Sequence, residues 1–161
     1  MSNYTLEKAI ETAIKAEELG IKFYSEMSKR FHNYVEIKEM FELLAKDEYE
    51  HKKQFTNLLN QLPASIPSQM DIFVEFLNAV DISKYFQDME SIPNDIKPSE
   101  VLSRVYNFEK DTVLFYLGIS DFLDDSQIIK EIINVEKKHV TKVMKYILTD
   151  GLFRGISDKW E

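Results

Sequence analysis

Apolar side chains recur every three or four residues along four long stretches of the sequence, the spacing of the buried face of an α-helix. Glycine and proline are scarce, at four residues each, which also favours long helices over a sandwich or barrel. The pattern predicts helices at residues 5–30, 34–62, 99–123 and 126–149.

The ends of the predicted helices carry recognisable signals. Thr5 is the predicted N-cap of the first helix and Ser99 that of the third, since both side chains carry a hydroxyl that can accept a hydrogen bond from the first turn. Asp150 and Gly151 are expected to end the fourth helix, since glycine commonly follows a helix C-terminus. The tail at 150–161 is then interpreted as a short docking segment or a dimer contact.

The connections predict how the helices are arranged. Short turns join the first helix to the second and the third to the fourth, so each pair should form an antiparallel hairpin. Residues 63–98 form a long crossover that begins with two prolines and contains a shorter helical segment at 70–79. Two hairpins joined by one long crossover have the connectivity of the ferritin-like four-helix bundle. We therefore expect an all-α fold with one domain over residues 1–161.

An acidic residue interrupts the apolar face of each long helix. On the second and fourth helices a histidine follows this glutamate by three residues, so a carboxylate and an imidazole share one helix face. A carboxylate at a core position is unfavourable unless it is paired, hydrogen-bonded or bound to a metal. Facing helices with these pairs, plus one glutamate from each partner helix, build the two-metal sites of di-iron bundles. The six residues are Glu17, Glu48, His51, Glu109, Glu136 and His139.

The two predicted hairpins also repeat each other. Glu17 precedes Tyr24 by seven residues, and Glu109 precedes Tyr116 by the same interval, with phenylalanine directly before each tyrosine. Each hairpin thus carries a lone glutamate on its first helix and a Glu-x-x-His motif on its second. A single such motif would be weak evidence, but two in matching frames are specific.

Charge and composition narrow the function. The net charge of −8 makes nucleic-acid binding unfavourable, because no basic face can replace the phosphate counterions. The absence of cysteine excludes disulfides, iron–sulfur clusters and thiolate-bound zinc or iron. No stretch is apolar and long enough to be a signal sequence or a membrane span, so a cytoplasmic protein without a membrane partner is expected.

On these motifs the chain resembles the rubrerythrin branch of the ferritin-like superfamily, in its di-iron domain only. The resemblance implies that the six residues bind two iron ions, with Glu48 and Glu136 bridging and Glu17 and Glu109 as terminal carboxylates. It also implies one histidine on each ion. Carboxylate and imidazole ligands without thiolate suit iron or manganese, and zinc is a possible substitute.

The sequence departs from the family pattern in two ways. Rubrerythrins carry an additional glutamate three residues after the third-helix ligand, where this chain has Thr112. A rubredoxin-like module is not expected either, because the sequence contains no cysteine. The resemblance therefore implies that a separate rubredoxin-like protein or flavoprotein donates electrons. The family further implies a homodimer and an enzyme that reduces hydrogen peroxide. The alternatives are a ferroxidase that uses oxygen and a metal-binding bundle without catalysis.

Three neighbouring features have less specific interpretations. The alternative for the six polar residues is that they fix helix register or are exposed at the ends of the bundle, but four carboxylates in one core layer would repel each other strongly without cations. Tyr24 and Tyr116 are interpreted as core packing alone, with hydrogen bonding to metal ligands or electron relay as the alternatives. Asp47 is the best candidate for orienting a histidine, but solvation at the helix surface is an equal alternative.

Overall fold

The chain folds as a set of α-helices. The structure, a computed structural model, describes residues 5–62, 71–123 and 126–160, and it describes the side chains of these residues except at 71–72 and 150–160. Within these ranges there is no β-strand. The helices are α1 (Leu6–Arg30), α2 (Val35–Asn60), α3 (Asp71–Ala79), α4 (Tyr85–Asp88), α5 (Pro98–Ser120) and α6 (Gln127–Trp160).

The N-caps of α1 and α5 test the predicted helix starts. The Thr5 hydroxyl accepts a hydrogen bond from the Lys8 backbone N–H at 3.1 Å, which confirms Thr5 as the cap of α1. The prediction of Ser99 as the cap of α5 is wrong, because Lys97 occupies that position and Pro98 opens the helix. Proline suits the first helical turn, since its fixed φ is helical and its missing N–H would have no partner there.

The predicted end of the fourth long helix is also wrong. α6 continues through Gly151 to Trp160 and is 34 residues long. A glycine inside a helix costs only about 1 kcal/mol relative to alanine. No proline follows Gly151 in the sequence, so nothing else forces the helix to stop there. The side chains of the predicted tail lie outside the described residues, as do the prolines at 63 and 67 and the turn at 124–125.

The four long helices pack as two hairpins around one core. α1 lies along α2 and α5 lies along α6, as predicted, and the hairpins meet through contacts of α1 with α5 and of α2 with α6. The largest fully buried side chains include Tyr24, Phe41, Phe55, Phe115 and Tyr116. Burying one large apolar side chain stabilises the fold by about 1.5–3 kcal/mol.

No helix in the described ranges is both long and apolar enough to cross a bilayer.

The described part of the crossover packs against α5. Gly118 permits this approach, because a Cβ there would lie 2.7 Å from the Leu77 Cδ2 and 3.1 Å from the Phe76 ring. Besides the predicted helical segment at 70–79, the crossover contains a second short helix, α4. Tyr85 of α4 donates a hydrogen bond to the Asp111 carboxylate on α5 at 2.5 Å. Beyond α3, the described part of the crossover buries apolar side chains of Ile82, Met89, Ile92 and Ile96 against the bundle.

Candidate metal centre

The structure brings all six predicted site residues into one buried layer of the bundle. Their side-chain donor atoms form two groups, and within each group the atoms lie within 4.8 Å of one another. Glu48 and Glu136 belong to both groups. The first group is Glu17, Glu48, His51 and Glu136, and the second is Glu48, Glu109, Glu136 and His139.

The sequence repeat relates the two groups to each other. Replacing each residue of the first group by its repeat partner gives the second group, so the site has an approximate twofold relation between the hairpins. Glu18, the neighbour of Glu17, instead points to solvent and contacts Lys52 at 3.2 Å. Of these two adjacent glutamates, the one on the apolar face of α1, Glu17, is therefore the one that belongs to the site.

His51 directs its Nδ1 atom at three carboxylates. This atom lies 2.7 Å from Glu136 Oε1, 3.2 Å from Glu48 Oε2 and 3.8 Å from Glu17 Oε2. The close approach to Glu136 lacks hydrogen-bond alignment, because both Glu136 oxygens are without a hydrogen-bond partner among the described residues. The hydrogen bond of His51 Nδ1 is instead made with Glu48 Oε2, so this nitrogen is bonded to one shared carboxylate and lies next to the other.

His139 uses its two ring nitrogens differently. Its Nε2 atom lies 3.0 Å from Asp47 Oδ2, and a carboxylate there favours the tautomer that carries the proton on Nε2. The other ring nitrogen, Nδ1, faces Glu48, Glu109 and Glu136 at 3.4–3.5 Å. This contact favours the orienting interpretation of Asp47 over solvation at the helix surface. The repeat partner of Asp47 is Val135, so His51 has no equivalent carboxylate.

The two tyrosines do more than pack, so the favoured interpretation of core packing alone is wrong. Tyr24 on α1 donates a short hydrogen bond to Glu109 on α5, and Tyr116 on α5 donates one to Glu17 on α1. These bonds cross between the hairpins in both directions. Burial and the adjacent carboxylates raise the pKa of both phenols well above their usual value, so both remain donors.

Burial and neighbouring charges shift the pKa values of the side chains in this layer and so determine which of them carry protons. Burial, followed by the charges of neighbouring glutamates, raises the pKa of Glu17 and of Glu109 well above the usual value. Burial opposes charge on Glu136 too, but the adjacent histidines hold its pKa below the usual value. Burial alone would lower the pKa of His51, yet its contacts with Glu136 and Glu48 raise it to about 9. Without metal, protons therefore neutralise part of the cluster.

A close approach of α1 to the site depends on Gly20, which sequence analysis did not single out. A Cβ at this position would lie 3.1 Å from Glu48 Cγ and 3.6 Å from Glu48 Cδ. Any larger side chain would press on a carboxylate shared by both groups. The signal in the sequence was a glycine inside an otherwise regular helix, three residues after a core glutamate.

The side chains fit a pair of divalent metal ions. Carboxylate oxygens and imidazole nitrogens without thiolates are the donors preferred by first-row metals such as iron and manganese. Leaving a buried polar atom without a hydrogen-bond partner costs about 1–3 kcal/mol, and a cation would satisfy several such atoms at once. The ligand atoms of the site that lack a hydrogen-bond partner among the described residues are Glu109 Oε2, Glu136 Oε1, Glu136 Oε2 and His139 Nδ1.

Comparisons with known proteins agree with this geometry. The sequence matches the Rubrerythrin family model over residues 8–147. No curated protein sequence matches the chain. The structure is similar to a crystal structure from Thermotoga maritima described as a ferritin-like diiron-carboxylate protein, with 25% sequence identity and a TM-score of 0.66. The similarity covers 91% of this chain and 97% of the Thermotoga chain, which confirms the predicted ferritin-like bundle.

Metal binding near pH 7 is expected to release protons. The raised pKa of His51 stabilises the metal-free fold below about pH 6.5, and this contribution is lost as the pH rises through about 9. At pH 7 both ring nitrogens of His51 therefore carry a proton, and a metal ion must displace one of the two. Adding Mn(II) to metal-free protein in weak buffer with a pH indicator should release about one or more protons per chain. Mn(II) binding without proton release would contradict this distribution of protons.

Replacing Asp47 should weaken metal binding. Asp47→Val reproduces the residue found at the repeat position, 135, and removes the carboxylate that orients His139. The expected loss of Mn(II) affinity is about tenfold, the lower end for such orienting residues, because the Asp47 side chain is 30% exposed. Competition with a chelator measures it. The control is Glu50→Gln on the exposed side of α2, and equal affinities in the two variants would rule out the orienting role.

Proposed function

The chain belongs to the rubrerythrin family, and from this we propose that it is a non-haem di-iron oxidoreductase that reduces hydrogen peroxide with electrons from a separate carrier. One observation carries the proposal. Two groups of buried carboxylates and imidazoles share Glu48 and Glu136, in a layer enclosed by all four long helices. Such a set of ligands suits two ions held side by side.

The overlap of the two groups supports the proposed roles of the ligands. Glu48 and Glu136, which belong to both groups, would bridge the ions. Glu17 with His51 would complete one position, and Glu109 with His139 the other. Four ionised carboxylates carry a charge of −4, which two divalent ions balance. The proposed reduced site is therefore neutral, as a buried site requires.

The proposed reaction converts hydrogen peroxide, two electrons and two protons into two water molecules. A pair of ferrous ions held by the six residues would supply the two electrons for cleavage of the O–O bond, and the external carrier would restore them. Hydrogen bonds from neighbouring side chains fix the positions of the proposed metal ligands. Tyr24 and Tyr116 fix Glu109 and Glu17 by hydrogen bonds from the opposite hairpin, and Asp47 fixes the ring of His139. Burial of the layer keeps bulk water away from the reacting centre.

The other expectations from the sequence stay predictions. They comprise iron as the native metal, a rubredoxin-like protein or a flavoprotein as donor, a homodimer and a cytoplasmic location. Manganese or zinc in place of iron would leave the geometry of the ligands intact but not supply the same electrons.

Anaerobic stopped-flow oxidation tests the proposed function. Protein loaded with two ferrous ions per chain should be oxidised by one equivalent of hydrogen peroxide, at least about tenfold faster than free ferrous ion. Glu48→Gln should lose this reactivity together with the bound iron, because it removes a shared ligand. Glu18→Gln is the matched control, since it changes an exposed glutamate next to a site residue.

The same experiment separates the alternatives. A ferroxidase would react faster with oxygen than with peroxide and would accumulate ferric product beyond two ions per chain when ferrous iron is in excess. A non-catalytic metal-binding bundle would remain spectroscopically unchanged with both oxidants. Either result would overturn the proposal of peroxide reduction.

A further inference from the structure

Thr112 marks a second difference between the two halves of the site, besides that between Asp47 and Val135. It lies three residues after Glu109 on α5, and its repeat partner on α1, three residues after Glu17, is Gly20. A Cβ at Gly20 would contact the shared carboxylate of Glu48. By the same twofold relation, the side chain of Thr112 belongs on the side of α5 that faces Glu136, the other shared carboxylate. One half of the site therefore has a hydroxyl where the other half has only a hydrogen atom.

The Thr112 hydroxyl also behaves unlike the hydroxyls of other helical threonines. Threonine in a helix usually donates to the carbonyl four residues earlier. Thr112 is 3% exposed, yet its hydroxyl has no hydrogen-bond partner among the described residues. The threonines that do make the usual bond, at 2.7–3.0 Å, are Thr12, Thr56, Thr141 and Thr149.

The unpartnered buried atoms all belong to one hairpin. Besides the Thr112 hydroxyl, the buried side-chain atoms without a partner in the described ranges come from Glu109, Glu136 and His139, all on α5 and α6. The glutamate oxygens and the imidazole nitrogen are suited to a cation. A neutral hydroxyl is a hydrogen-bond donor instead, and a small anion in the α5–α6 half is the natural acceptor for it.

We propose that the Thr112 hydroxyl donates a hydrogen bond to a small anionic ligand of oxygen or nitrogen donors, of the size of hydroperoxide or azide, that enters the α5–α6 half of the site. Thr112 then makes the two halves inequivalent, and the ligand is held at the half that contains His139. This inference rests on the proposed two-metal site, but it does not depend on peroxide being the substrate.

Azide titration of the iron-loaded, oxidised protein tests the proposal. Azide gives a charge-transfer absorption band with ferric iron, so its dissociation constant is measured without turnover. Thr112→Val keeps the shape of the side chain but removes the hydroxyl, and azide affinity should fall about five- to tenfold, the effect of one hydrogen bond. Thr112→Ser retains a hydroxyl and should keep affinity within about twofold.

Controls separate this hydrogen bond from a general disturbance of the site. Thr141→Val removes a hydroxyl that bonds to its own helix, and it should leave azide binding unchanged. Iron content is measured for every variant, and Thr112→Ala provides a second hydroxyl-free variant in case valine lowers iron loading. Equal azide affinity in the wild type and in an iron-loaded hydroxyl-free variant would overturn the proposal. So would an iron-loaded wild type that binds no azide.

Peroxide reactivity is a separate readout. Loss of azide affinity in Thr112→Val supports the role of Thr112 even if the wild-type protein reacts slowly with peroxide, a result that would overturn only the proposed function. Conversely, rapid peroxide reduction with unchanged azide affinity in Thr112→Val would overturn only the role of Thr112.

Discussion

The repulsion among four carboxylates buried in one layer is the constraint on which the rest of the structure depends. Two like charges 4 Å apart repel by about 4 kcal/mol at an effective dielectric constant of 20, and burial adds the loss of hydration. In the metal-free protein this energy is reduced by protons on Glu17, Glu109 and the histidines. Two divalent cations would remove it more completely. The long helices supply the rigid frame that keeps such unfavourable groups together.

Periodicity made most of this site predictable. Each of the six residues interrupts an apolar helix face, and the internal repeat pairs Glu17 with Glu109 and the two Glu-x-x-His motifs with each other. The crossed hydrogen bonds of Tyr24 and Tyr116 were not predictable in the same way. They depend on the register between helices of different hairpins, which a pattern along one helix does not determine. The Asp47–His139 contact depends on the same register.

Local signals were less reliable than the core pattern. Gly151 lies where a helix stop is expected, but α6 passes through it, because a glycine alone weakens a helix without ending it. Ser99 has the chemistry of an N-cap, yet Pro98 starts the helix one residue earlier. Local signals also gave no indication of the importance of Gly20 and Thr112. Their significance emerged only when the repeat was combined with the contacts around Glu48 and with the unpartnered hydroxyl.

Metal analysis tests the central claim most directly. Protein purified from cells grown with sufficient iron is desalted, and its metal content is measured by mass spectrometry for the wild type and for Glu136→Gln, which removes a carboxylate shared by both groups. The account predicts about two metal ions per chain in the wild type and a large loss in the variant. A wild type that binds no metal, even after incubation with ferrous iron, while remaining folded would contradict it.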